Sequence, residues 1–280
     1  MSEQRKHAVS AAKHIKKMYP AKFSPKIALI TEENFKLGND IKVKDSINYS
    51  DIPPLLETSW ESGKGKMMFC KAGKADILVL NGRYHYYDGI SMEDIGHVIY
   101  ILKELGIKKI VSIDETGHLH PRFDCGEIAL VLDHINLMGS NPLIGENDDE
   151  LGIRFPDMSN AYDEKLFNKI KAVLVKDEVP FHESIYVGIT GPASETDAEA
   201  RFYRQILGDV LGYSLVPENI TAVHAGIQFA GIGLITRNLV ADVMLDDTRI
   251  LEQKRRDRDK SLSKAQKILT KALKNILEAI

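Results

Sequence analysis

Apolar positions along this chain follow two rhythms that take turns almost from end to end. Residues 4–18 carry Val9, Ala12, Ile15 and Met18 at three-residue spacing, which predicts an amphipathic helix. Residues 26–31 form a short apolar run and predict a strand. Residues 67–71 and 76–80 predict a hairpin turning at Ala72-Gly73-Lys74. Residues 91–105 return to helical spacing, with Ser91 as N-cap, Asp94 three residues on and Gly106 as the stop. Strands are predicted at 109–113, 127–132, 184–190 and 227–236. Helices are predicted at 161–176, 195–207 and 216–225, and the tail from about residue 249 to 280 as one long helix. Strands alternating with helices imply an α/β fold with a largely parallel sheet covered on both faces. Residues 136–160 carry little periodicity, and an irregular stretch of that length points to function or subunit contact. No repeat, low-complexity tract or linker interrupts the pattern, so residues 1–280 are expected to form a single domain.

Composition narrows the class. A chain of 280 residues with 44% hydrophobic content supports a sizeable core. The formal net charge of −3 gives no electrostatic reason to expect nucleic acid or an anionic membrane as partner. No apolar run approaches the roughly 20 residues of a membrane span. The first twenty residues are rich in Lys and Arg but lack the apolar stretch of a signal peptide. Two cysteines, Cys70 and Cys125, do not make a disulfide framework. Together these lead to the expectation of a cytoplasmic protein. His118 and His120 with Asp114 have unspecific spacing for metal ligation, and neither a metal nor a cofactor is expected. The charge run at 254–260 reads as a solvated helix face.

The densest chemistry lies at Asn81-Gly82-Arg83-Tyr84-His85-Tyr86-Tyr87-Asp88-Gly89. It follows the apolar run Ile77-Leu78-Val79-Leu80, so the strand delivers a cation, an imidazole and aromatic rings to the rim of a sheet, where α/β proteins bind ligands.

Several segments, in order, resemble the trimeric class of purine nucleoside phosphorylases. Gly82-Arg83-Tyr84-His85 is similar to that family's arginine-bearing loop. Asp133-His134-Ile135-Asn136, Asn141-Pro142-Leu143-Ile144-Gly145 and Arg154-Phe155-Pro156-Asp157 are similar to its long central loop. Gly191-Pro192-Ala193-Ser194-Glu195-Thr196 resembles its substrate-binding glutamate motif, and Leu211-Gly212-Tyr213-Ser214-Leu215-Val216-Pro217-Glu218 and Leu234-Ile235-Thr236 complete the set. The resemblance implies a single-domain mixed α/β sheet with a distorted barrel flanked by helices, a homotrimer, and phosphorolysis of purine nucleosides. It implies substrate-binding roles for Arg83, His85, Tyr87, Phe155, Glu195, Tyr213 and Ser214, with Phe155 reaching in from a neighbouring subunit. Arg237 stands where the family has a base-binding asparagine, unless a shift of one residue puts Asn238 there.

The departures concentrate where that family binds phosphate. Thr31-Glu32-Glu33 replaces Gly-Ser-Gly, Trp60-Glu61-Ser62-Gly63 replaces a Gly-His turn, and Asp114-Glu115-Thr116 replaces Asn-Ala-Ala. A phosphate dianion about 5 Å from one carboxylate is repelled by roughly 6–7 kcal/mol at an effective dielectric of 20. Glu32, Glu61 and Glu115 therefore argue against ordinary phosphorolysis, and each is a candidate general base for water instead. Two outcomes are expected to compete. One is a non-catalytic nucleoside-binding or scaffold protein, with a protein partner that the sequence does not identify. The other is an enzyme cleaving an N-glycosidic bond, as a carboxylate-assisted hydrolase or as a phosphorylase with a rearranged phosphate site.

Overall fold

The computed structural model describes residues 1–33, 35–53, 65–240 and 251–280. In chain order the regular elements are α1 (Glu3–Lys17), β1 (Ile27–Thr31), β2 (Ile41–Asn48), β3 (Lys66–Ala72), β4 (Ala75–Asn81), α2 (Met92–Leu105), β5 (Lys109–His118), β6 (Ile128–Asn136), α3 (Glu164–Lys176), β7 (Phe181–Gly188), α4 (Asp197–Gln205), β8 (Val210–Gly212), α5 (Leu215–His224), β9 (Gln228–Asn238) and α6 (Leu251–Ala279).

The strands form one sheet in the order β2-β3-β4-β1-β5-β8-β7-β6-β9, and β9 returns to pair with β5. Strands β5, β8, β7, β6 and β9 thus close into a five-stranded barrel, and β2, β3, β4 and β1 extend from its wall. The pairing is mixed rather than mostly parallel: β2–β3, β3–β4, β5–β8 and β6–β9 are antiparallel. The hairpin at Gly73 and the short β8 turn two of these ladders around.

Alternation along each strand feeds two apolar layers. Ala28 and Ile30 of β1 and Leu78 and Leu80 of β4 face the layer that holds α1, α2 and α5. Their neighbours Ile27, Leu29, Ile77 and Val79 face the layer that holds α3 and α6. Because both faces are covered, β1 is buried at all five positions, which is why it reads as a continuous apolar run.

Several boundaries differ from the sequence pattern for identifiable reasons. On α1 the buried stripe is Ala8, Ala11, Ala12 and Ile15, while Val9 and Met18 are exposed. Small alanines let α1 pack close to α2. Helix α3 begins three residues late because Asp163 caps it, accepting from the Leu166 N–H. Helix α4 begins after Thr196, which makes a capping box with Glu199. Strand β2 escapes the pattern because its burial does not alternate: six of its eight positions are exposed. Strand β8 is only three residues long. Strand β5 runs five residues past the expected end, because barrel closure supplies ladder partners on both sides, from β8 and from β9. Asp114 and Glu115 therefore lie within a strand, not in a loop after it. Residues 137–160 contain no helix or strand, as their lack of periodicity implies.

Candidate functional site

Gly82 turns the chain out of β4 with φ of 126°, a backbone region that glycine enters freely, and points Arg83 back into the protein. The Arg83 side chain has no exposed surface. Its Nε donates to Glu218 Oε1 at 2.9 Å, and Nη1 donates to Asp114 Oδ1 at 2.9 Å and Glu32 Oε1 at 3.2 Å. Nη2 donates to Ser112 Oγ at 2.5 Å and to Glu218 Oε2 at 3.4 Å. A guanidinium has five N–H donors, and these five contacts use all of them.

Each partner has a structural reason to be there. Ser112 and Asp114 are two apart on β5 and so share a face. Glu218 lies in the first turn of α5 and is 4% exposed, a carboxylate among apolar neighbours that only a buried cation explains. Glu32 follows β1, where the Asn81 side chain donates to its backbone carbonyl at 3.0 Å. Tyr186 of β7 donates to Asp114 Oδ2 at 2.6 Å, and burial together with Asp114 holds its hydroxyl well above the ordinary tyrosine pKa.

Three carboxylates around one guanidinium leave an excess of negative charge. Burial pushes Asp114 and Glu218 up, against the opposing pull of Arg83. Burial also opposes the charge on Glu32, but the hydrogen bond from His85 and the charges of Arg83 and His85 outweigh it and bring its pKa to about 2. Burial likewise opposes the charge on His85, and Glu32 reverses this, leaving the imidazole above its ordinary value.

His85 is the hinge between this cluster and a second one. Its Nε2 lies 3.3 Å from Glu32 Oε2 and its Nδ1 lies 3.1 Å from Ser214 Oγ. The ring stacks on Tyr87 with centroids 4.6 Å apart, and Tyr87 meets Tyr213 edge-on at 5.8 Å. The Arg237 guanidinium lies 5.5 Å from the Tyr213 ring centroid and pairs with Glu195 at 3.3 Å. Asn238 turns away, its side chain accepting from the Val240 N–H at 2.9 Å. Arg237, not Asn238, is therefore the residue that meets Glu195 in this structure.

The remaining expected residues are placed elsewhere. Glu115 points to the opposite face of β5, where it accepts from Thr236 at 2.9 Å and from Arg258 of α6. This corrects the reading of residues 254–260 as a purely solvated face: Arg258 crosses to the sheet. Glu61 lies outside the described residues. Phe155 stands out from the long loop, 83% exposed, with the Arg154 guanidinium 5.1 Å from its ring. His118 bonds the His120 carbonyl at 2.9 Å while Asp114 is committed to Arg83 and Tyr186. Cys70 and Cys125 form no disulfide with each other.

Sequence reasoning missed Ser112, Tyr186 and the charge role of Glu218. The available signal was Glu218 itself, a lone carboxylate within the otherwise apolar start of a helix. Ser112 and Tyr186 carried no signal, because a serine or tyrosine in a buried strand is ordinary.

A closed barrel with an extended sheet, helices on both faces and a polar cluster reached from β1, β4, β5 and β8 defines a nucleoside phosphorylase type of architecture. Residues 37–274 match the sequence profile of the phosphorylase superfamily. The chain belongs to that superfamily and, within it, to the purine nucleoside phosphorylase family. It is 38% identical over 235 residues to purine nucleoside phosphorylase 1 of Geobacillus stearothermophilus, covering 84% of this chain and 85% of that one. It is 33% identical to the purine nucleoside phosphorylase of Mus musculus, over 79% of this chain and 78% of that one. The crystal structure of Schistosoma mansoni purine nucleoside phosphorylase in complex with inosine superposes with a TM-score of 0.85 at 30% identity, covering 96% of both chains. The same enzyme in complex with adenosine gives a TM-score of 0.87 at 29% identity, covering 98% of this chain and 97% of that one.

Proposed function

We propose that this chain binds purine nucleosides in the inherited pocket without phosphorolysing them, and that with respect to the glycosidic bond it serves as a non-catalytic binding or scaffold protein. The observation that carries this reading is the saturation of Arg83. All five of its donors are taken by Glu218, Asp114, Glu32 and Ser112. A phosphate would have to displace these partners and then sit among three carboxylates, each repelling it by roughly 6–7 kcal/mol at about 5 Å and an effective dielectric of 20. Glu32 bridges Arg83 and His85, so a protein carboxylate takes the position that the resemblance assigns to the anion.

On the base side Arg237 pairs with both oxygens of Glu195 next to the Tyr213 ring, so a purine has to share or displace that pair. The Schistosoma mansoni relative, crystallised with inosine and with adenosine, gives precedent for such ligands in this fold. On the same resemblance the assembly is a homotrimer in the cytoplasm, with Phe155 offered to a neighbouring subunit.

A second reading is cleavage of the N-glycosidic bond by water. It is favoured by the position of Glu32, whose side chain stays partly accessible, although the pKa of about 2 makes it a weak base for water. Glu115, held by Arg258 and Thr236, lies on the opposite face of β5 from this cluster. A phosphorylase with a rearranged phosphate site would need Arg83 to release its partners.

The test is incubation of the purified protein with a panel of purine nucleosides, with and without phosphate, following free base, alongside calorimetric titration with inosine. Saturable binding without base release is expected. Base release that requires phosphate would overturn the proposal, and release that ignores phosphate would establish the hydrolytic reading.

A further inference from the structure

Ser214 closes the turn between β8 and α5 and occupies the N-cap position of that helix. Its hydroxyl makes no capping bond to the helix, although serine is among the residues best suited to do so. The hydroxyl turns instead to His85, with Oγ 3.1 Å from Nδ1. On the other side of the ring Nε2 lies 3.3 Å from Glu32 Oε2, and the second oxygen of Glu32 is held by Arg83 at 3.2 Å.

These contacts set where the protons sit once His85 is neutral. An ionised carboxylate only accepts, so Nε2 of neutral His85 carries the hydrogen and donates it to Glu32. Nδ1 then presents a lone pair, and the Ser214 hydroxyl is its donor. A hydroxyl donating to an imidazole that in turn donates to a fixed carboxylate is the arrangement that activates a serine.

The local chain geometry supports the same role. Gly212-Tyr213-Ser214 links β8 to α5, so the serine stands at a strand-to-helix junction with little backbone freedom around it. A side chain at Gly212 has no room: a β-carbon there would lie 2.4 Å from the Tyr186 hydroxyl and 2.6 Å from Asp114 Oδ2. That same Tyr186 hydroxyl accepts the Ser214 N–H at 3.1 Å and so fixes the backbone beneath the serine.

We propose that Ser214, His85 and Glu32 form a serine-nucleophile relay that acts on small activated acyl or sulfonyl compounds, with Ser214 as nucleophile, His85 as general base and Glu32 as positioning residue. With an ester, Ser214 Oγ bonds to the acyl carbon, its proton passes to His85 Nδ1, and the C–O bond breaks as the alcohol leaves with that proton. Water then releases the acid by the reverse sequence. With a sulfonyl fluoride the Oγ–S bond forms, the S–F bond breaks, fluoride leaves with the electron pair, and the proton passes through His85 to solvent. Ser214 is 3% exposed, and the half-buried rings of Tyr87 and Tyr213 stand beside the relay, so the electrophile must be small. This activity concerns a different bond from the nucleoside reading and does not depend on it.

The experiment is treatment of the full chain with methanesulfonyl fluoride, without nucleoside or phosphate, followed by intact mass and peptide mapping. A single adduct on Ser214 is expected. Ser214→Ala should abolish it, and His85→Ala should slow it by about 100-fold or more, as loss of a general base does. The groups that face His85 are Glu32 after β1, Arg83 in its own loop, Asp114 of β5 and the stacked Tyr87. Labelling of the wild type should rise with pH as His85 loses its proton. In Glu32→Gln the inflection should move down by about one pH unit or more, because the carboxylate no longer holds the charged imidazole. The E32Q profile also separates a relay from a structural role, and it needs no variant of Ser214 or His85 to fold. Absence of an adduct, an adduct at another residue, or an inflection that stays in place in E32Q would each overturn the relay.

Discussion

At the scale of single residues, the chemistry turns on Glu32. It is one carboxylate with two different cations, Arg83 on one oxygen and His85 on the other. Its pKa lies at about 2 in the folded chain against an ordinary 4.5, so it contributes stability above the ordinary value and loses it as pH falls through the folded one. His85 runs the other way. Its pKa is raised from the ordinary 6.5, so its contribution is complete below that value and disappears as pH rises through the raised one. The pair therefore stabilises most between about pH 4.5 and 6.5. Urea unfolding of Glu32→Gln and wild type should differ most in that window, and the difference should shrink towards pH 2. A difference that is flat from pH 3 to pH 8 would contradict this account. Asp114 and Glu218 add an opposite trend to both proteins, since raised carboxylates stabilise in acid and lose that contribution as pH rises.

Arg83 and His85 were legible in the sequence because an arginine and a histidine directly after an apolar strand have few structural reasons to be there. Their partners were less legible. Glu115 looked equivalent to Glu32 by position in the motif, yet strand alternation sends it to the opposite face and into the grip of Arg258. A one-residue difference in a strand reverses a side chain, and that reversal depends on where the strand ends.

At the scale of elements, the site hangs on two junctions. Gly82 turns Arg83 inward after β4, and Gly212 lets β8 pass against Tyr186 and Asp114 before α5 begins. Glycine is required at the second junction by contact rather than by backbone angle. Gly212→Ala should destabilise the fold by about 1–3 kcal/mol, the usual cost of overpacking a buried position. Thermal or urea unfolding checks this, and a loss under about 0.5 kcal/mol, the scale of an ordinary surface change, would show that the junction yields easily. Most helices were readable from their caps and spacing, as Ser91 and Gly106 at the ends of α2 illustrate. Strands β2 and β8 were not, because the one is mostly exposed and the other is too short to show a period.

At the scale of the whole molecule, the long loop after β6 leaves Ile144, Ile153 and Phe155 exposed, at 74%, 65% and 83%. Large apolar side chains gathered on one loop are what an interface between copies would cover. Sedimentation equilibrium is expected to give three times the 31.4 kDa of the chain, and Phe155→Asp to shift the distribution towards smaller species. A monomer at every concentration would overturn the proposed trimer. Among the described residues no helix is long and apolar enough to cross a membrane.

The sequence by itself determined the alternation of strands and helices and the family, because these are written in local period and in ordered motifs. Tertiary structure alone decided which acids matter. Barrel closure extends β5 past Asp114, brings α5 and β1 to the same point, and gathers Glu32, Asp114 and Glu218 from three distant segments around one guanidinium. A buried charge is satisfied by whatever the fold brings within about 3 Å of it, and that distance is not a property of any segment read alone.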